Sequence, residues 1–261
     1  MLLIHPLIDP VIVSFGLIEI RWYGLSYVFG FIFGYYLIKK IIQNQNIKIN
    51  DKTIDNFFIW SIIGVIIGGR LGYVLFYQTS TILNNPINIF FIWKGGMSFH
   101  GGLIGIIVSM IIFSKKNSIN FFILSDLVSF VAPIGLFLGR LANFINVELI
   151  GRPTNFFLAM IYPSIDNIPR HPSQIYEALF EGLILFIILI YFVRKNYISN
   201  KHGFISSIFL IFYGIFRFIL EFLREPDLHL GLFFNIFSMG QLLSIPTIIL
   251  GIYIYFKTKK N

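Results

Sequence analysis

Arg140, Asn143 and Glu148 stand within GRLANFINVELIG (139–151), a polar island in a chain that is apolar almost throughout. A guanidinium, an amide and a carboxylate gathered this closely suit an anionic ligand, because arginine's planar fork pairs bidentately with phosphate or carboxylate. On a helix turning about 100° per residue, Arg140, Phe144, Val147 and Gly151 form one stripe, with Asn143 and Glu148 on its flanks. Charges in or beside hydrocarbon are costly unless paired or wetted, which makes them functional by default. A structural Arg–Glu pair that pins a helix end has the same spacing.

A second polar stripe lies in YGIFRFILEFLREPD (213–227). Tyr213, Arg217, Glu221 and Arg224 fall within roughly 80° of one helix face. Two arginines around one glutamate leave a net positive face, on which Glu221 orients Arg217 and one fork stays free for a ligand. The alternative is a network that satisfies itself. In RHPSQIYEALFEG (170–182), Ser173 is placed to cap a helix. Glu177 and Glu181 then enter that helix on one face. Such a like-charged pair needs arginine partners or protons, and Glu177 is expected to meet one of the arginines above.

His100 lies in GGMSFHGGLIG (95–105), ringed by Gly95, Gly96, Gly101, Gly102 and Gly105. Glycines allow another backbone or a lipid headgroup to approach. Histidine is the usual general base near neutral pH, though a lone histidine also serves as a structural residue. Tyr23, in IRWYGLSY (20–27), reads as an interfacial anchor that can also reach a headgroup. Asp126 reads as part of a polar packing network. Gly64, Gly68 and Gly72, at four-residue steps, form a close-packing face, with Arg70 pointing elsewhere. No metal site is expected, since His5, His171, His202 and His229 show no ligand spacing. The chain has no cysteine, which excludes disulfides, cysteine–zinc sites and a thiol nucleophile of its own. Any thiol in the chemistry belongs to the substrate.

The elements that position these groups are membrane helices. Of 261 residues, 56% are hydrophobic and 12% charged, with a mean hydropathy of +0.80. A soluble domain carries about a quarter charged residues, so the class is an all-α integral membrane protein. Pro6 and Pro10 interrupt the apolar start, which has no basic leader region and is kept as part of the mature chain. Seven spans are expected, at about 22–38, 57–77, 97–113, 121–138, 176–193, 203–223 and 237–256. They form a single domain over 1–261, with a small outward-facing segment between spans four and five. Lys39, Lys40, Lys48, Lys52, Lys115, Lys116, Arg194, Lys195, Lys201, Lys257, Lys259 and Lys260 fall in alternating connections and the tail. By the positive-inside rule that side is cytoplasmic, the N-terminus is outside and the C-terminus inside. Of the eight other basic residues all but Lys94 are arginines: Arg21, Arg70, Arg140, Arg152, Arg170, Arg217 and Arg224. An arginine set near the outer half of the bundle suggests an anionic ligand there.

Five stretches taken together resemble the bacterial prolipoprotein diacylglyceryl transferase family: RWYGL (21–25), HGGLIG (100–105), GRLANFINVELIG (139–151), RHPSQIYE (170–177) and YGIFRFILEFLREPD (213–227). They occur in the family's order and spacing and cover the whole chain. Ala142 departs from the family pattern, which has Gly there. The resemblance implies a multi-pass enzyme of the bacterial inner membrane. It implies transfer of diacylglyceryl from phosphatidylglycerol to the lipobox cysteine of a prolipoprotein signal peptide, with release of glycerol phosphate. It also implies roles for the residues. His100 takes the thiol proton, with Tyr23 or Tyr213 assisting or replacing it. Arg140 and Arg217 hold the phosphate, Asn143 hydrogen-bonds the headgroup, and Glu148, Glu177 and Glu221 orient the arginines. Gly151 and Arg224 complete the binding set. No metal or organic cofactor and no nucleic-acid partner is expected, and the chain is expected to be a monomer. The competing readings are a transporter for an anionic solute and a non-catalytic lipid-binding scaffold.

Overall fold

In hydrocarbon every backbone N–H and C=O must find its partner within the chain, and a helix does this locally. The computed structural model describes residues 3–16, 18–78, 86–90, 96–226, 231, 233 and 236–260. Lys94, Gly95, Asp227 and His229 lie outside the described residues. The long helices are α1 (Trp22–Asn44), α2 (Asp51–Tyr77), α3 (Phe99–Lys116), α4 (Phe121–Ile145), α5 (Ser173–Val193), α7 (Phe204–Leu220) and α8 (Met239–Lys260). A single turn, α6 (Tyr197–Asn200), precedes α7. Among the described residues, six helices are long and apolar enough to cross a membrane: α1 to α5 and α8. Where a further span is expected, α7 is an apolar helix of 17 residues, about 26 Å long at 1.5 Å per residue.

The all-α expectation holds for the bulk of the described residues, but four short strands are present among them. Leu3–Ile4 (β1) pairs in parallel with Met160–Ile161 (β4), and Val11–Phe15 (β2) pairs antiparallel with Ile18–Arg21 (β3). Pro6 and Pro10 exclude a helix there, and the β-branched VIV and IEI runs suit extended backbone.

The helices cluster into two compact units, residues 42–125 and residues 1–41 with 126–261. In the 42–125 unit, α2 packs on α3 through glycines. A Cβ at Gly68 would overlap the Gly101 carbonyl, and one at Gly105 the Gly64 carbonyl. A Cβ at Gly72 would come within 2.8 Å of Gly101 Cα. The face formed by Gly64, Gly68 and Gly72 therefore packs against the helix that carries His100. Ser109 seals the contact by donating to the Trp60 carbonyl at 3.1 Å, and Phe57 meets Phe113 at 5.3 Å between ring centroids.

In the other unit, α4, α5 and α7 are the scaffold. Buried Leu127, Phe130, Leu185, Leu189, Ile205 and Ile208 form its apolar core. Asp126, fully buried on α4, caps α7 from a neighbouring helix. Its carboxylate accepts from the backbone N–H of Gly203 and Ser206, both at 2.7 Å, and from the Ser206 hydroxyl at 2.6 Å. The first N–H groups of a helix have no partner within it, so this carboxylate supplies one and fixes the register of α7. Gly203 enters the turn at φ +95°, a conformation that costs little only for glycine. Asp126→Ala is expected to leave two buried N–H groups without an acceptor and to destabilise the fold by about 1–3 kcal/mol. Thermal unfolding in detergent micelles checks this, with Asp126→Asn, which keeps one acceptor oxygen, losing less.

Candidate active site

The second polar stripe is carried by α7 and the turn after it. Arg217 Nη2 pairs with Glu221, four residues on, at 2.6 Å. The other fork of Arg217 is also taken: its Nη1 donates to Glu177 at 2.8 Å. Arg140, in the last turns of α4, spans the two glutamates of α5, with Nη1 3.0 Å from Glu177 and Nη2 3.1 Å from Glu181. Arg217 Nη1 lies 3.6 Å from Glu181, and Arg224 Nη1 lies 3.9 Å from Glu177. The result is a knot of Arg140, Arg217 and Arg224 with Glu177, Glu181 and Glu221. Both α5 carboxylates are fully buried, and the Arg140 and Arg217 side chains are only 14% and 13% exposed. The sequence stripe suggests a net positive face. Helix packing changes that, because Glu177 and Glu181 arrive from α5 and balance the charge.

Local sequence explains how the carboxylates reach their places. The turn Ala178–Ile184 of α5 is π-helical, and such turns are frequent at functional sites. Gly182 within it faces Phe137 of α4, where a Cβ would come to 2.6 Å from the Phe137 Cβ. Gly240 in the first turn of α8 faces Glu221, where a Cβ would lie 2.7 Å from the carboxylate. Tyr213, one turn before Arg217, is electrostatically coupled to Glu181, Arg217 and Arg140.

The first motif is not one continuous helix. α4 ends at Ile145, and Val147 and Leu149 both adopt φ +56°. The stripe from Arg140 therefore stops at Phe144. Distant side chains take the backbone carbonyls that a helix would need. His5 Nε2 bonds the Phe144 carbonyl at 2.8 Å, Gln174 donates to Glu148 O at 2.6 Å, and Ser173 donates to Leu149 O at 2.7 Å. Ser173 is thus not the expected cap of α5, since its hydroxyl is spent on this loop. The Glu148 carboxylate accepts from Asn143 at 2.7 Å and from Asn146 at 3.3 Å. Gly151 is packed so tightly that a Cβ would overlap the His171 carbonyl.

The other arginines have different partners. Arg70 donates to the carbonyls of Ile89 and Gly96, and Arg152 to that of Arg224. Arg170 grips Asp166 and Glu225, both at 2.6 Å, and Gly151 O at 3.3 Å. Its hydrogen bonds hold the Asp166 carboxyl below the usual carboxylate range. Burial lowers the His171 imidazole, which keeps it neutral near pH 7. Arg21 makes an exposed pair with Glu19. The arginines therefore differ in their partners, and among the described residues only Arg140, Arg217 and Arg224 meet the α5 carboxylates.

The structure therefore brings together Arg140, Arg217, Arg224, Glu177 and Glu221, and adds Glu181. It pairs Asn143 with Glu148. It sets Tyr23 edge-on to Tyr27, at 5.4 Å between centroids, and Tyr27 is coupled electrostatically to Arg140. His100 belongs to the other compact unit, exposed on the first turn of α3 behind the Ser98 cap. Sequence reasoning passed over Tyr27, whose signal was its place one turn after Tyr23, and over His5 and Gln174, which act through backbone carbonyls and leave no sequence pattern. Among the described residues, no cluster of three His, Asp or Glu is able to hold a metal ion.

A family model described as prolipoprotein diacylglyceryl transferase matches residues 10–257. The phosphatidylglycerol–prolipoprotein diacylglyceryl transferase of Rickettsia typhi is 51% identical over 252 residues, 97% of each chain. That of Rickettsia bellii is 49% identical over 254 residues, again 97% of each chain, and that of Rickettsia felis 49% over 249 residues, 95% of this chain and 96% of the relative. With near-complete coverage in both directions and the five motifs in order, the chain belongs to the prolipoprotein diacylglyceryl transferase family.

Proposed function

We propose that the chain transfers the diacylglyceryl group of phosphatidylglycerol to the cysteine thiol of prolipoproteins, the first step of lipoprotein maturation. The observation that carries this is near-full-length identity of about half to relatives named for that reaction. The chemistry needs a thiolate, since a thiol with a pKa near 8.5 is a weak nucleophile until it loses its proton. The sulfur attacks the glyceryl carbon that bears the phosphate oxygen. A C–S bond forms, the C–O bond breaks, and the electron pair leaves on glycerol phosphate while a base takes the thiol proton. A chain with no cysteine of its own suits a reaction whose thiol comes with the substrate.

His100 is the proposed base, with Tyr23 or Tyr213 as its assistant or replacement. Arg140 and Arg217 are proposed to stabilise charge growing on the departing phosphate. Glu177 and Glu221 hold these two in place, and the pairing distances support that role; Arg224, 3.9 Å from Glu177, is proposed to complete the binding set. Asn143, clamped to Glu148, is proposed to bond the headgroup, with Gly151 shaping the loop beside it.

The chain is further proposed to act as a monomeric single domain of seven spans in the bacterial inner membrane. Its N-terminus then lies outside, its C-terminus inside, and residues 146–172 outside. The clustering of lysines in alternating connections supports this orientation. A chain without cysteines is a ready background for testing it. Ser118→Cys is expected to react with an impermeant thiol reagent only after the membrane is opened, and Ser164→Cys in intact cells; the reverse pattern would invert the topology.

Activity is testable with purified protein, phosphatidylglycerol micelles and a lipobox peptide with one cysteine. Arg140→Gln and Arg217→Gln are each expected to slow diacylglyceryl transfer by roughly 10²–10³-fold. Lysine at either position is not expected to rescue it, because the fork is lost. His100→Gln is expected to slow the chemical step roughly 10²–10⁴-fold while lipid binding persists. Unchanged turnover in His100→Gln, with loss in Tyr23→Phe or Tyr213→Phe, would move the base to a tyrosine.

A further inference from the structure

The ionic knot presents a problem for any anion that enters it. Its three guanidinium groups face three carboxylates, so the set is balanced before a ligand arrives. Both terminal nitrogens of Arg140 are engaged by glutamates, and so are both of Arg217. A headgroup phosphate brings one more negative charge into surroundings that water barely reaches. It must compete for forks already in use, and like charges there repel strongly. Either a carboxylate withdraws or one of them is neutral.

The carboxylates are not equally held. Glu177 is within 3.0 Å of Arg140 and 2.8 Å of Arg217, with Arg224 beyond at 3.9 Å. Glu221 holds Arg217 at 2.6 Å. Glu181 has one arginine at 3.1 Å and a second only at 3.6 Å, so its nearest guanidinium contact is longer than that of Glu177 or Glu221. It also shares Arg140 with Glu177, the arrangement in which one of two carboxylates takes the proton. The groups that face Glu181 are Arg140 from α4, Glu177 on its own helix, and Arg217 and Tyr213 from α7. None but Glu177 competes for a proton near neutral pH.

We infer that Glu181 is the charge-compensating residue of the site: it is a neutral carboxylic acid whenever the headgroup phosphate is bound, and it yields its hold on Arg140 to that phosphate. This rests on the reading that Arg140 and Arg217 bind the headgroup. Glu181 is thus a positioning residue, acting through Arg140. Ionised Glu181 excludes the lipid, so affinity is present at low pH and lost as pH rises through the pKa of Glu181 in the lipid-free protein.

The test is binding of short-chain phosphatidylglycerol to the full chain in nonionic micelles as a function of pH. In wild type, affinity is expected to fall about tenfold per pH unit on the alkaline side, the slope of one linked proton. Glu181→Gln, a neutral isostere, is expected to bind the lipid with a flat profile, while Glu177→Gln keeps the slope. A Glu181→Gln profile that still falls like wild type, or a folded Glu181→Gln protein that no longer binds, overturns the inference. Arg140→Gln separates this from the reading beneath it: undiminished lipid binding there overturns both, whereas lost binding with an unaltered Glu181→Gln slope overturns only the role of Glu181. If Glu181→Gln does not fold, infrared difference spectra of isotope-labelled wild type decide the matter. A protein carboxylic-acid carbonyl band in the lipid-bound state is expected, and its absence overturns the inference.

Discussion

Three guanidinium groups and three carboxylates share a space that water scarcely enters, and the rest of the 1–41 and 126–261 unit is arranged so that they meet. A lone buried charge is costly, and breaking one partner of a buried ion pair removes roughly 3–5 kcal/mol of stability. The six groups are therefore tolerable only together. That requirement explains why α4, α5 and α7 approach as they do. Gly182 admits Phe137 and Gly240 admits the Glu221 carboxylate. The π-helical turn carries Glu181 beside Glu177 at the same arginine. Glu177 ties the Arg140 and Arg217 guanidinium groups to one carboxylate and so holds them close together.

The loop after α4 serves the same end by other means. His5, Ser173 and Gln174 reach across the chain to take the carbonyls of Phe144, Leu149 and Glu148. Asn143 and Asn146 fix the Glu148 carboxylate. Beyond them Arg170 ties Asp166 and Glu225 together. Arg140 thus stands at the junction between the apolar helix α4 and a hydrogen-bonded loop segment. Its backbone belongs to α4 and its side chain is held by Glu177 and Glu181 of α5.

What the sequence disclosed was what depends on local spacing. The glycine face of α2 at 64, 68 and 72 is a four-residue repeat, and packing of that kind follows from helix geometry alone. The Arg217–Glu221 pair is one helical turn long and was equally visible. Less visible was anything that needs two helices at once. The expected free fork of Arg217 is filled by Glu177 from α5, and the expected positive face is neutral. The stripe from Arg140 to Gly151 fails as a helix because its carbonyls are claimed by residues up to 139 positions away. Likewise Asp126 was recognisable as polar and buried, but its task of capping α7 is a relation between residues 77 to 80 positions apart.

On the proposal made above, the lipid phosphate enters this knot by replacing a carboxylate on Arg140. The most direct measurement is a structure of the protein with a phosphatidylglycerol headgroup bound. Phosphate oxygens are expected within hydrogen-bond reach of Arg140 and Arg217, with Glu181 drawn off Arg140 and Glu177 still paired. A phosphate bound elsewhere, with every Arg–Glu pair intact, would contradict it.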